Sequence, residues 1–352
     1  MQLWSDLPLT AQTAYAQLLD STLALEHARS IADLPGSFVA KEVKGHRYWY
    51  YQYTEPSSRL RQIFVGPDSE AVRALMAQKE KSALTASLVP LARSAAALGC
   101  VSIVPRHYRV LKRLADYGFF AAGGLVVGTH AFIAYANMLG VKWTAEDASR
   151  TQDIDFAHAG KRVALALAPG FNVKTRDAIA SLNMGFLPIT GLSGNAAGSY
   201  LIPSEPEFRL DFLTCAGRAG EVAYEHPDLH VSLQPLKFME FSLEDVQQAV
   251  MFSNTGAFVV NLPNPARYAL HKLIVMGERA GSFQTKSNKD ARQVAVLLDC
   301  LRTLQPENVM EAWADLCQRG RGWVSRAQRG LATVDARFAE LKLAAWLEAL
   351  KA

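Results

Sequence analysis

Asp153 and Asp155 stand one residue apart in the run Arg150-Thr151-Gln152-Asp153-Ile154-Asp155-Phe156-Ala157, an otherwise apolar, strand-like stretch. Strand side chains alternate faces, so residues two apart point the same way. Two carboxylates side by side repel one another, and a fold accepts that cost when a cation sits between them. A third acid, Asp211, falls in the strand-like run Phe208-Arg209-Leu210-Asp211-Phe212-Leu213-Thr214, on the face it shares with Arg209 and Leu213. It reaches the same cleft if the two strands are neighbours. Upstream, in Val126-Val127-Gly128-Thr129-His130-Ala131-Phe132, a strand is expected to end at Gly128 and Thr129 and a helix to begin at Ala131. Such a turn leaves backbone N–H groups free at a helix N-terminus, a natural cradle for phosphate. A phosphate cradle feeding three clustered carboxylates is what metal-assisted phosphoryl chemistry requires. Oxygen-only ligands suit Mg²⁺, which keeps waters and shares its shell with substrate phosphates. Two such ions activate an attacking hydroxyl and stabilise a leaving pyrophosphate.

The elements that must hold these residues follow from the surrounding pattern. Residues 9–28 place Leu and Ala at three- and four-residue spacing, which predicts a helix. Between residues 38 and 68, runs rich in Val, Tyr, Trp, Ile and Phe alternate with turn signals at Lys44-Gly45 and Pro56-Ser57-Ser58. That predicts an antiparallel meander of about three strands. Residues 69–98 read as helical with Gly99 as a stop, and residues 106–117 as an amphipathic helix rich in basic side chains. Residues 119–141 carry no formal charge and are long enough to span a bilayer. Their Gly pair, Gly128-Thr129-His130 and Asn137 instead split them into a strand, a turn and a helix ending at Gly140. Residues 162–168 read as another buried strand and residues 174–185 as a helix. From Pro265 onward helices dominate, at 266–280, 288–304 and 307–320, with a terminal helix through Ala352. No internal repeat or low-complexity segment interrupts the chain. The order points to an α+β core between two appended modules.

The bulk numbers are those of an ordinary soluble protein: 352 residues, 50% hydrophobic, 20% charged, net charge +4. So mild a positive charge permits nucleotide or nucleic-acid partners without demanding them. Cys100, Cys215, Cys300 and Cys317 are scattered, with no C-x-x-C pair, and read as core thiols of a reducing compartment. The opening MQLWSDLPLT lacks a basic region followed by an apolar stretch, so no secretory signal and a cytoplasmic location are expected.

Gly128-Thr129-His130-Ala131, then Asp153-Ile154-Asp155, then the distant Asp211 resemble the G-[GS]-x-A, D-x-D and third-Asp pattern of the DNA polymerase β-like nucleotidyltransferase superfamily. Arg150 to Asp155 spells the R-x-x-D-x-D form common in its bacterial branches. The run from Pro265 to Leu273, with Lys272, and the pair Lys289-Asp290 resemble the helical part of those branches. With the aromatic meander included, the chain looks similar to the bacterial nucleotidyltransferase-fold proteins of the GSU-type group from about residue 35 to 300. One position departs: Thr129 stands where Gly or Ser is usual, and a β-branched side chain there crowds the phosphate turn.

The resemblance implies an α+β fold with a polymerase β-like mixed-sheet core. Residues 1–100 would form an N-terminal helical and β-meander module, 101–262 the catalytic core and 263–352 a C-terminal helical domain. It further implies metal-dependent transfer of a nucleoside monophosphate from NTP to a hydroxyl, releasing pyrophosphate. Asp153, Asp155 and Asp211 would hold Mg²⁺ or Mn²⁺, and Asp211 would help deprotonate the acceptor. Gly128, Thr129 and Lys272 would attend the triphosphate. The acceptor stays open among RNA or a tRNA end, a protein side chain and a small molecule, with a toxin-like role as one variant.

Plainer readings stand beside these. Hydrated acids on a strand edge would show the same alternation, and Asp211 would equally pair with Arg209 or Lys237. His130 reads as a cap or packing residue, Lys272 as an exposed helix lysine, and Arg279, Lys286, Lys289 and Asp290 as solvated charges. Tyr48-Trp49-Tyr50-Tyr51-Gln52-Tyr53 beside Lys44, Arg47, Arg59 and Arg61 would stack bases, or would simply pack the meander. The alternative function is therefore a non-catalytic nucleic-acid-binding protein that keeps the fold and works through that meander.

Overall fold

The computed structural model describes residues 2–27, 37–54, 60–80, 84–144, 151–159, 173–190, 196–216, 222–279 and 284–350. Strand β1 (Trp4–Asp6) leads into helix α1 (Leu9–His27). The meander follows as β2 (Ser37–Val43), β3 (His46–Thr54) and β4 (Leu60–Pro67), antiparallel throughout with β3 in the middle. Helices α2 (Glu70–Glu80) and α3 (Leu84–Ala97) fall within the helical run expected up to residue 98. Next come α4 (Pro105–Asp116), β5 (Leu125–Val126), α5 (Gly128–Met138) and β6 (Val141–Trp143). The strand expected after Phe119 is thus only two residues long, because residues 117–123 are turns that carry Phe119 into the core. No helix among the described residues is long and apolar enough to cross a membrane.

Strand β7 (Ile154–His158) and helix α6 (Thr175–Ala180) follow, then β8 (Leu187–Thr190), β9 (Ala196–Ile202) and β10 (Glu205–Cys215). The strand expected at residues 162–168 lies outside the described residues. After β11 (Tyr224–His226), β12 (Val231–Leu236) and the short α7 (Met239–Leu243), a hairpin forms from β13 (Val246–Ser253) and β14 (Gly256–Pro263). The helical end comprises α8 (Pro265–Glu278), α9 (Gln284–Leu304), α10 (Pro306–Gln318), α11 (Arg321–Asp335) and α12 (Leu343–Ala349). The single terminal helix expected from the pattern is therefore broken. A 3₁₀ turn at Ala339–Leu341 and a left-handed Lys342 (φ 50°) separate α11 from α12.

The central sheet runs β11-β12-β10-β7-β5, with β9 on the leading half of β10 and β8 beyond β9. It is mixed: β10 is parallel to β7 and β12, while β5 is antiparallel to β7 and β9 to β10. This is the α+β, mixed-sheet architecture that the sequence predicts. Between β7 and β10 the register pairs Asp155 with Asp211 and Phe156 with Phe212. Because side chains alternate, one face of these two strands is aromatic and the other acidic. Phe156 and Phe212 stack at 5.0 Å and 17°, and Phe119 meets both edge-on at 5.5 and 5.8 Å. Burying each such ring contributes about 2–3 kcal/mol, which fixes the register that brings the acids together. Further along, Ala157 packs with Met239 and Leu243 of α7, so the sheet is covered beyond Asp155.

The hairpin β13–β14 is buried on both sides. Val250, Phe252, Ala257 and Val259 pack with Leu7, Leu18, Leu88 and Ala92 of the N-terminal segment, α1 and α3, whereas Met251, Phe258 and Val260 join the main core. Strand β1 pairs with β6, Trp4 opposite Trp143. At the other end α8 and α11 approach so closely that a Cβ on Gly330 would lie 2.1 Å from the Leu273 carbonyl oxygen.

Candidate active site

Strand β5 delivers the chain to Val127, whose N–H donates to the Asp155 carbonyl at 2.9 Å. The next residue, Gly128, has φ +61°, and a Cβ there would lie 1.9 Å from Asp155 Oδ2. Glycine is required twice over, for the left-handed backbone and for the carboxylate beside it. Helix α5 then starts with no side-chain cap, so its first N–H groups and the positive end of its dipole face this turn.

Three consecutive residues tie the turn to other elements. The Gly128 carbonyl accepts from the Tyr268 hydroxyl of α8 at 2.8 Å. Thr129 Oγ1 accepts from Gln293 Nε2 of α9 at 3.5 Å, and the side chain is only 7% exposed. The methyl-bearing side chain expected to crowd the turn is thus packed toward α9. His130 Nε2 lies 3.0 Å from His107 Nδ1 of α4.

The structure brings Asp153, Asp155 and Asp211 together: one carboxylate oxygen from each lies within 4.8 Å of the others, and all three side chains are half-buried. Both acids of D-x-D were expected on the strand, but β7 begins at Ile154 and Asp153 belongs to the approach. There the Thr151 hydroxyl bonds to the Asp153 carboxylate and lies 3.3 Å from its carbonyl oxygen, turning the chain before it pairs. At 4.8 Å each pair of charges repels by about 1 kcal/mol in water-like screening and about 3 kcal/mol at a protein surface. Three carboxylates and no nitrogen or sulfur form a donor set that fits a hard divalent cation.

The cations divide differently from expectation. Asp290, expected to be solvated, is 6% exposed and lies 2.5 Å from both Lys272 Nζ and Arg279 Nη1. Burial alone would raise its carboxyl, but the two cations outweigh it and hold it at about 2. Lys272, expected beside the triphosphate, is engaged by Asp290, with its Nζ 5.2 Å from the centre of the Tyr268 ring. Lys289 is half-buried and lines a cavity with Asp153: burial pushes its ammonium down, and Asp153 and Asp155 oppose that shift. One signal marks Asp290 in the sequence. It falls in register with buried Gln293, Val294 and Leu297, a core stripe in which an acid needs a partner. Arg150 of the R-x-x-D-x-D run and the side chain of Lys286 lie outside the described residues.

His107 carries no motif and was not singled out by sequence. Its ring stacks on Phe208 at 5.3 Å and 18°, and the Arg106 guanidinium lies 4.0 Å from the centre of the Phe208 ring. Burial pushes His107 down and takes His130 to about 3, so both rings are neutral at physiological pH. A cavity of about 680 Å³ opens beside them and reaches Asp153 and Lys289.

A sequence profile of a family described as Nucleotidyltransferase matches residues 106–318, from α4 through α10. Among solved structures, an antigenic nucleotidyltransferase-like protein from Paracoccidioides brasiliensis is similar, at 15% identity and a TM-score of 0.32. That match covers 65% of this chain and 95% of the other. No curated protein matches the chain.

Proposed function

The chain belongs to this nucleotidyltransferase family, and from that premise we propose that it transfers a nucleoside monophosphate from an NTP to a hydroxyl acceptor. The observation that carries the proposal is the meeting of three carboxylates within 4.8 Å, beside a glycine turn that opens a helix. Asp153, Asp155 and Asp211 would hold Mg²⁺ or Mn²⁺, the source of the positive charge that activates the acceptor and steadies the leaving group. The N–H groups at the start of α5 receive the triphosphate, and Gly128 lets it approach without a side chain in the way. Lys289 offers a further positive charge. Lys272, through Asp290, holds α8 against α9 and so keeps Tyr268 on the Gly128 carbonyl. The acceptor oxygen bonds to the α-phosphorus as the bond to the bridging oxygen of the β-phosphate breaks. Pyrophosphate leaves with that electron pair, and the hydroxyl proton passes to Asp211. RNA or a tRNA end, a protein side chain and a small molecule all present such a hydroxyl, and a toxin-like role is one use of the same chemistry.

A second reading draws on the meander. Phe64 is 55% exposed and meets Tyr50 at 5.5 Å, with Lys41 4.6 Å from the centre of the Tyr50 ring. Such a surface suits stacking of single-stranded bases without catalysis. Calorimetric titration of each NTP, in Mg²⁺ and in EDTA, separates the two. The transferase binds NTP only with the divalent cation, and the Asp153→Ala/Asp155→Ala double mutant loses that binding. Oligonucleotide binding that ignores EDTA, with no NTP binding at millimolar concentration, would sink the enzyme reading.

A further inference from the structure

We infer, building on the proposed transfer, that the cavity beside Asp153 seats the nucleoside of the NTP and that His107 is the residue that reads it. The cavity measures about 680 Å³, within the usual range for small-molecule sites. Its charged lining is Asp153 and Lys289, while Val101, Ile103 and Ile133 give it aliphatic walls. Ile133 lies on α5 five residues after Gly128, so cavity and phosphate turn are built on one helix. A triphosphate resting on the start of α5 must bring its α-phosphate to the acids. The ribose and base are bonded to that phosphate and have to continue into adjoining space, which this cavity provides.

Two observations favour the nucleotide over the acceptor as occupant. An α-phosphate is already anionic and is attracted by a cation beside it more strongly than a neutral acceptor hydroxyl is, and Lys289 lines the cavity. Asp211, the acid assigned to the acceptor proton, does not line it. His107 enters the wall with Nδ1 engaged by His130, which leaves Nε2 for a ligand. The ring is held on one face by Phe208. In a neutral pair the shared proton decides whether His107 Nε2 donates or accepts, and a base edge or ribose hydroxyl offers the complement of either.

Titration of Mg²⁺ complexes of ATP, GTP, CTP, UTP and inorganic tripolyphosphate into the full chain tests this. Ile133→Trp fills the cavity and is expected to weaken every NTP about tenfold or more, leaving tripolyphosphate within about twofold of wild type. His107→Gln is expected to change the ranking of the four NTPs, again without moving tripolyphosphate; an unchanged ranking overturns the role of His107. NTP affinities in Ile133→Trp equal to wild type overturn the cavity assignment and leave the transfer proposal standing. A wild-type chain that binds neither NTP nor tripolyphosphate in Mg²⁺ overturns both. Should Ile133→Trp lose tripolyphosphate as well, Val104→Trp, at a cavity-lining side chain 55% exposed, decides by the same two outcomes.

Discussion

Lys289 and Asp290 are neighbours on α9, yet each looks to opposite charge in a different place. Asp290 turns into the protein and lies 2.5 Å from both Lys272 and Arg279, which keep its carboxyl at about 2. Lys289 lines a cavity with Asp153, and Asp153 and Asp155, each with one oxygen within 4.8 Å of an Asp211 oxygen, oppose the effect of burial on its ammonium. The difference lies in where the countercharge comes from. Two cations within contact distance make Asp290 part of the fold, because removing either side leaves a buried charge alone. Three acids grouped with one another, half-buried and held beside an uncapped helix start, would under the proposed function draw further countercharge from a cation arriving from solution.

If that division is right, loss of Asp290 should be the most damaging single change. Asp290→Ala leaves Lys272 and Arg279 without their shared partner and is expected to cost about 3–5 kcal/mol, read from the shift of the denaturant midpoint. A cost below about 1 kcal/mol would place Asp290 with the solvated charges and end the comparison. On the other side, Gly128→Ala puts a methyl 1.9 Å from Asp155 Oδ2 in a backbone at φ +61°. The carboxylate has to move, so Mg²⁺-dependent NTP affinity should fall about a hundredfold, while stability falls by only about 1–2 kcal/mol. Equal affinity in the variant would show that Asp155 needs no fixed place.

Acid sharpens the contrast. The Asp290 carboxyl is depressed from 3.8 to about 2 in the folded state, so at intermediate pH the unfolded chain has taken up a proton that the folded chain refuses. Its stabilisation is full above the unfolded value and is lost as pH falls from about 4 toward 2, a loss of about 2 kcal/mol. Wild type and Asp290→Asn should therefore lose their difference in that window. A difference that persists unchanged at pH 2 would assign the effect to packing instead of charge.

How much of this was legible in the sequence depends on whether residue type alone carried the message. Gly128, Asp153, Asp155 and Asp211 were readable because a strand-to-helix glycine and acids alternating with Ile154, Phe156, Leu210 and Phe212 are conspicuous in one dimension. The register that sets Asp155 against Asp211 was not, since it is decided by which strands become neighbours. The hairpin at 246–263 escaped because both its faces are buried, so its residues do not alternate. Asp290 read as solvated because charged residues near a loop after a helix usually are, and the partners that matter, Lys272 and Arg279, come from another helix or its end. His107 looked like one more polar residue of a basic helix. Only the fold sets it against His130.

The smallest expected effect is the one whose sign decides most. Asp211→Asn keeps the side-chain volume and removes one of three crowded charges. In EDTA the variant should be as stable as wild type or more stable, by up to about 1 kcal/mol once solvent screening of half-exposed groups is allowed for. In Mg²⁺ the order should reverse in binding, with wild type taking up NTP and the variant losing it. Thermal melts in both conditions read the first effect, and calorimetry reads the second. A variant destabilised in EDTA would mean that Asp211, like Asp290, is anchored by charge already inside the protein, and the acids would then belong to the fold before they belong to any substrate. A variant stabilised in EDTA and silent toward NTP would mean the reverse: the repulsion is maintained for the ion that relieves it.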